Sequence, residues 1–169
     1  LKKAMVPATA AIGALAVGLT QATKAAIEDA ASADLLAQNL RRTTGATDAV
    51  IASTEDWIST QGKLLGIADD DLRPALSRLA RVTGDVTKAQ KIVTQAMDIS
   101  AATGKPLETV VQSLERAFAG NMTSLQRLLP EYRSMIKDGA SFEEVMARIA
   151  TVTGGAATDA ANTAQGQFK

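Results

Sequence analysis

Glu108 and Glu115 stand seven residues apart in a segment of helical periodicity, so two turns of helix bring both carboxylates to one face. Paired carboxylates are the minimum equipment for general acid and base work, glycosidic cleavage above all. Nothing around them marks a sugar cleft. A second acidic group, Asp69-Asp70-Asp71, raises calcium. A calcium loop, however, spaces its oxygen ligands, turns on a central glycine and closes with a bidentate glutamate about twelve positions along. Leu72-Arg73-Pro74-Ala75 supplies none of these, and the run fits instead the negative charge favoured at a helix N-terminus ahead of a first-turn proline. The chain has no histidine and no cysteine, so Ser-His and Cys-His nucleophiles and the usual zinc sites cannot be assembled from it. Gly154-Gly155 and Gly13-Ala14 lack the Lys-Ser/Thr of a phosphate-binding loop. The lone tryptophan, Trp57, has no flanking polar constellation and reads as a core anchor, not a stacking platform. The residues therefore assign no catalytic, cofactor-binding or metal-ligating position, and the expected class is non-enzymatic.

The elements that would have to position any such group are helices. Thr44-Gly45, Thr83-Gly84, Thr103-Gly104 and Thr153-Gly154 punctuate segments whose apolar residues recur every three or four positions. Glycine enters the left-handed conformation that closes a helix, so each Thr-Gly reads as a C-terminal stop. Thr47, Asp85 and Ser141 read as N-caps, the last in a Ser-x-x-Glu capping box with Glu144, and Pro106 opens a further helix. Gly62 and Gly66 break the run that begins at Thr47. Apolar stripes follow through Val50, Thr54, Trp57 and Ile58; through Leu72, Leu76, Leu79 and Val82; through Val86, Ala89, Val93, Ala96 and Met97; through Leu107, Val110, Val111, Leu114 and Phe118; and through Phe142, Met146, Ile149 and Val152. With one Trp, one Tyr and three Phe, the core must be aliphatic, anchored at Trp57, Leu76, Val93, Met97, Leu114, Phe118 and Phe142.

The sequence thus predicts an all-α fold, a multi-helix bundle of short amphipathic helices with a longer N-terminal apolar helix. Residues 1–45 form that N-terminal apolar and amphipathic helix. Residues 46–153 form the compact bundle, because short connections force successive helices together. Residues 154–169 form an Ala/Gly-rich exit segment leading to the rest of a longer chain. Leu1 is not an initiator methionine and Lys169 closes no recognisable element, which also suggests a piece of a longer polypeptide.

Residues 4–19 are almost wholly Ala, Val, Leu, Ile and Gly behind Lys2 and Lys3. A span needs about 20 apolar residues, and Pro7, Gly13 and Gly18 weaken this run, so a helix buried against others is the first reading. A membrane-entering segment carried by Val6, Ile12, Leu15, Val17 and Leu19 is the second, and a secretory signal the third. Eighteen basic residues balance eighteen acidic ones, which removes the overall field of a dedicated nucleic-acid binder. The charge is zoned even so. Residues 46–71 hold six acids against Lys63, whereas 72–105 hold Arg73, Arg78, Arg81, Lys88, Lys91 and Lys105 against Asp85 and Asp98. Such zones either pair within the chain or dock head to tail with a neighbouring copy.

Taken as one ordered series, Asp70-Asp71-Leu72-Arg73-Pro74-Ala75-Leu76, Val82-Thr83-Gly84-Asp85-Val86-Thr87-Lys88-Ala89-Gln90, Ala96 to Lys105 and Gly120-Asn121-Met122-Thr123-Ser124-Leu125-Gln126-Arg127-Leu128 resemble the tail tape measure proteins of long-tailed bacteriophages. Thr43 to Thr47, Trp57-Ile58-Ser59 and Gly154-Gly155-Ala156-Ala157 extend the likeness over residues 25 to 165 or so. It departs at Leu129-Pro130-Glu131-Tyr132, where similar proteins often carry a small glycine turn. The resemblance implies a structural virion protein present in several copies, three by analogy, inside the tail tube or at the tail tip. Such proteins set tail length, contact tube and tip proteins and leave ahead of the genome, having assembled in the host cytoplasm. Some help form a passage through the host envelope, so a membrane-active helical protein is the alternative function. No cofactor and no specific nucleic-acid binding are expected. An unbroken helix of this length would reach roughly 250 Å at about 1.5 Å per residue. The frequent stops forbid that, and the chain reads as a folded module attached to a ruler elsewhere in its parent.

Overall fold

The structure, a computed structural model, describes the backbone of residues 9–167 and the side-chain surroundings of residues 23–163. The described residues form α1 (Thr9–Thr44), α2 (Asp48–Leu65), α3 (Asp69–Thr83), α4 (Val86–Thr103), α5 (Leu107–Phe118), α6 (Thr123–Leu128), a 3-10 turn (Pro130–Tyr132), α7 (Arg133–Lys137), α8 (Phe142–Thr153) and α9 (Ala156–Gln167), with no strand among them. The fold is an all-α multi-helix bundle.

Local chemistry explains the corners. At three of the four Thr-Gly pairs the glycine is left-handed, with φ of 68° at Gly45, 66° at Gly84 and 69° at Gly104. The preceding threonine turns its hydroxyl back along the helix, donating to the carbonyl four residues earlier: Thr44 to Leu40, Thr83 to Leu79, Thr103 to Ile99. One dipeptide thus supplies both a second bond for a last-turn carbonyl and a backbone able to reverse. The fourth pair differs. Thr153 makes the same hydroxyl bond to Ile149, but Gly154 keeps φ at −56° and Gly155 takes the positive value, 85°. Thr47, Asp85 and Ser141 accept from the amides of Val50, Lys88 and Glu144, and Glu144 returns its carboxylate to the Ser141 amide at 2.7 Å.

α3 lies at the centre, packed on α1, α2, α4 and α5, while α4 also meets α5, α8 and α9. Leu72, Leu76, Leu79, Val93, Met97, Ile99 and Leu114 are fully enclosed. Leu36 and Leu40 of α1 and Ala157 of α9 join the same core.

Several expectations shift. Gly62 does not break α2; it is buried inside the helix because a Cβ there would meet the Ile67 carbonyl oxygen at 2.8 Å and Asp69 Oδ1 at 2.6 Å, so a bare Cα lets the next turn fold back against it. Pro74 is not in the first turn but inside α3, which begins at Asp69. Its side is exposed, where loss of an amide donor toward the Asp70 carbonyl is least costly. The α8 stripe runs through Val145, Met146, Ile149 and Thr153, leaving Val152 69% exposed. On α2 the buried line is Ile51, Thr54, Ile58 and Gly62, and Val50 faces outward. On α5 Leu107 and Phe118 lie at the rim, while Val110, Val111, Leu114 and Ala117 are enclosed. In each case the choice between a step of three and a step of four decides which neighbour turns inward.

Candidate interaction surface

Arg73 is the one buried cation among the described residues, its side chain 6% exposed. α3 carries it on the arc that also holds Leu72, Leu76 and Ala80, so helix geometry itself drives the guanidinium inward. Three elements answer its charge. Glu55 of α2 accepts from Nε at 3.1 Å and Nη2 at 3.0 Å, Asp29 of α1 from Nη1 at 2.5 Å, and Asp70 from Nη1 at 3.5 Å. Burial alone would lower its proton affinity, but the hydrogen bonds and charges of Glu55 and Asp29 outweigh that and raise the pKa above the ordinary arginine value. The cluster is a clamp holding α1 and α2 to α3. It also joins the two charge zones within one chain, through Glu55 and Arg73.

A groove of about 280 Å³ runs beside it between α1 and α3, walled by Leu35, Asn39, Pro74, Ser77 and Arg81. Asn39 Nδ2 donates to Ser77 Oγ across its floor at 2.9 Å. Along α1, residues 23–31 are all exposed, and Ile27 and Leu35 are 64% and 61% exposed, so burial on this helix begins at Leu36.

The acids flagged for catalysis do not converge. Glu115 is 16% exposed and receives Arg81 Nη2 at 2.7 Å and Arg78 Nη1 at 3.6 Å. Glu108 is exposed and accepts from Gln112 Nε2 at 2.9 Å. Asp69, Asp70 and Asp71 occupy the first turn of α3, and no metal-holding group of acids occurs among the described residues. Of the expected anchors, Leu76, Val93, Met97 and Leu114 are buried, whereas Trp57, Phe118 and Phe142 pack on the core from its rim. Phe118 and Phe142 meet edge to face at 5.3 Å, and Lys88 Nζ sits 4.9 Å from the Phe118 centroid. Val6 lies outside the described residues. Ile12, Leu15, Val17 and Leu19 fall on the backbone of α1, their side chains outside the described set. Among the described residues no helix is long and apolar enough to cross a membrane.

Sequence reasoning missed two polar fixtures. Arg73 is a cation inside an apolar arc with acids one helix away, a legible signal. Asp98 is not legible at all: from α4 its carboxylate accepts the amides of Gly155 at 3.2 Å and Ala157 at 3.0 Å, capping α9 from nearly 60 positions earlier in the chain. No family model, curated protein or solved structure matches this chain. What the described residues present is a set of fixed helices whose one buried cation, Arg73, is paired. No buried side-chain nitrogen or oxygen among the described residues lacks a partner.

Proposed function

We propose that the chain is a structural module of a phage tail tape measure protein: a folded helical unit of a longer polypeptide, assembled in several copies, three by analogy, in the tail tube or at the tail tip. Its contacts are with other copies and with tube and tip proteins, and with the host membrane during genome delivery. One observation carries this reading. The blocks that resemble tape measure proteins map onto the start of α3, the α3–α4 corner, the α4–α5 corner and the α5–α6 corner. These are the positions that hold Arg73 and the positive-φ glycines Gly84, Gly104 and Gly120. The likeness thus falls on residues that determine the bundle's path, and it is this ordered coincidence that supports the reading. The module binds and positions, while the length-setting ruler lies in extended helix of the parent chain.

Tail length tests this. A series of in-frame deletions in the parent's extended helical region should shorten tails by about 1.5 Å for each residue removed. Tails of constant length across the series would overturn the assignment.

A further inference from the structure

Three cations meet around one hollow between α5 and α6, about 460 Å³ in volume and without a carboxylate on its wall. Lys105 precedes α5, Arg116 lies in its last turn, and Arg127 comes from the last turn of α6. A last-turn position accounts for the charge of each arginine, but not for their convergence with Lys105. Hydrogen bonds hold the walls in place. Ser124 Oγ lies 2.8 Å from the carbonyl oxygens of both Ser113 and Asn121, and the Asn121 amide donates to the Arg116 carbonyl at 2.8 Å, so α6 is fastened to α5 beside the hollow. The Lys105 and Thr109 carbonyls are taken as well, by the Ser100 and Ser113 hydroxyls. Donors are what is left over. Lys105, Arg116, Arg127, the Thr109 hydroxyl and the Asn121 side-chain amide make no hydrogen bond or ion pair among the described residues. The groove between α1 and α3 also carries three arginines, but Glu55, Asp29 and Glu115 already answer their charge. Arg42, Lys63, Lys91, Arg133, Lys137 and Arg148 also lack an ion pair among the described residues, yet none of the six lines either hollow.

We propose that this hollow binds a small, multiply charged oxyanion, a diphosphate group. Guanidinium forks match phosphate oxygens two at a time, and an ammonium adds a point charge. Thr109, Ser113 and Arg116 stand at i, i+4 and i+7 on α5, so one helix face offers hydroxyl and guanidinium to the same ligand. The backbone positions of Lys105 and Arg116 lie on the order of 15 Å apart along α5, so a ligand that meets both must carry charge at two points. A single phosphate monoester carries about −2 at pH 7, short of the three cations; a second phosphoryl group supplies both the charge and the span. A nucleic-acid strand fits less well. No aromatic side chain lines the wall to stack a base, and the formal net charge of +0 supplies no field to gather a long polyanion. A lipid surface fits less well too, because Leu128, the one apolar residue on the wall, is buried.

Titration calorimetry of the full chain with pyrophosphate tests it, at roughly 0.02 M salt, where screening is weak. Binding should saturate at one pyrophosphate per chain, and inorganic phosphate should bind more weakly. Arg116→Gln with Arg127→Gln should weaken pyrophosphate by at least about tenfold, the scale of one lost charge-assisted bond. Lys91→Gln with Lys137→Gln removes the same charge from elsewhere on the bundle and should change affinity by less than about twofold. All four side chains are exposed, so helicity by circular dichroism should be unchanged in both. Amide shifts on titration should concentrate over residues 105–128. ADP carries the same group on a nucleoside and should bind no tighter than pyrophosphate. Four results would overturn the proposal: no saturable binding; equal weakening by the two double variants, which would mean net charge without a site; ADP preferred over pyrophosphate; or a short single-stranded oligonucleotide binding more tightly than pyrophosphate and lost equally in both double variants.

Discussion

Arg73 shows how one side chain can decide whether three helices stay together. Its guanidinium is enclosed, and its partners differ in exposure: Glu55 is 26% exposed, Asp29 59% and Asp70 66%. Removing the better-buried acid leaves a buried cation with only solvent-weakened partners. Glu55→Ala should therefore destabilise the fold by about 2 kcal/mol, below the usual 3–5 for a broken buried pair because two acids remain. Arg73→Met, which removes the charge and keeps the volume, should cost less than Glu55→Ala. Urea unfolding of the two variants checks the order, and the reverse order would show that the charge itself is stabilising. Gly62 offers a second decision at this scale. Alanine is better than glycine in a helix by about 1 kcal/mol, yet the added methyl would press on a backbone carbonyl that cannot swing aside. Gly62→Ala should lower the urea midpoint, with a net loss of about 1–2 kcal/mol.

Among the elements, α8 and α9 depend on their first turns in different ways. The Ser141–Glu144 box holds the Glu144 carboxyl below the ordinary glutamate range, chiefly through the Ser141 amide and then its hydroxyl. A carboxyl whose pKa falls on folding contributes stability above its unfolded pKa of about 4.3, and that contribution disappears as pH falls through the folded value. Carbon shifts of Glu144 should show a midpoint below about 4.3 that Ser141→Ala, which removes the hydroxyl and keeps the amide, raises only part of the way. α9, rich in Ala, packs on α4 and α2 through small side chains such as Ala157, and Asp98 fixes its first turn from outside. Asp98→Ala should cost about 1 kcal/mol, the scale of a lost N-cap, with amide protection falling over residues 156–163 while α3 to α5 keep theirs. The same contrast explains what could be read in advance. Thr47, Asp85 and Ser141 act within three residues of themselves, so their types and spacing disclosed them. Asp98 acts on residues 57 and 59 positions away, and Gly62 makes room for a turn five residues on; both roles exist only after the chain has folded. Stripe positions such as Val152 went astray because helical spacing admits both three and four, and packing chooses.

For the molecule as a whole, contacts centre on α3 and α4, and α1 joins them along α3; within α1 residues 23–31 are exposed, with Asp29 reaching Arg73. Hydrogen exchange should report this gradient, strongest over α3 to α5 and declining along α1 from Leu40 toward Thr23. Under the proposed function, the bundle's width raises a hypothesis about how it would sit in a tail tube. Helices of about 10 Å each, several abreast, are bulky for a tube lumen, and the aliphatic core with few aromatic residues lowers the cost of opening. Residues 70–120 should then exchange faster in intact tails than in the isolated chain. Equal or stronger protection there would mean that the bundle travels closed.

The reach of Asp98 has a temporal corollary. A ribosome would release α4 long before α9 emerges, so the carboxylate waits, hydrated, for the amides it will eventually grip. Closing this long loop costs more chain entropy than turning the α3–α4 corner, and refolding followed by a probe on α9 should lag behind any probe placed at that corner.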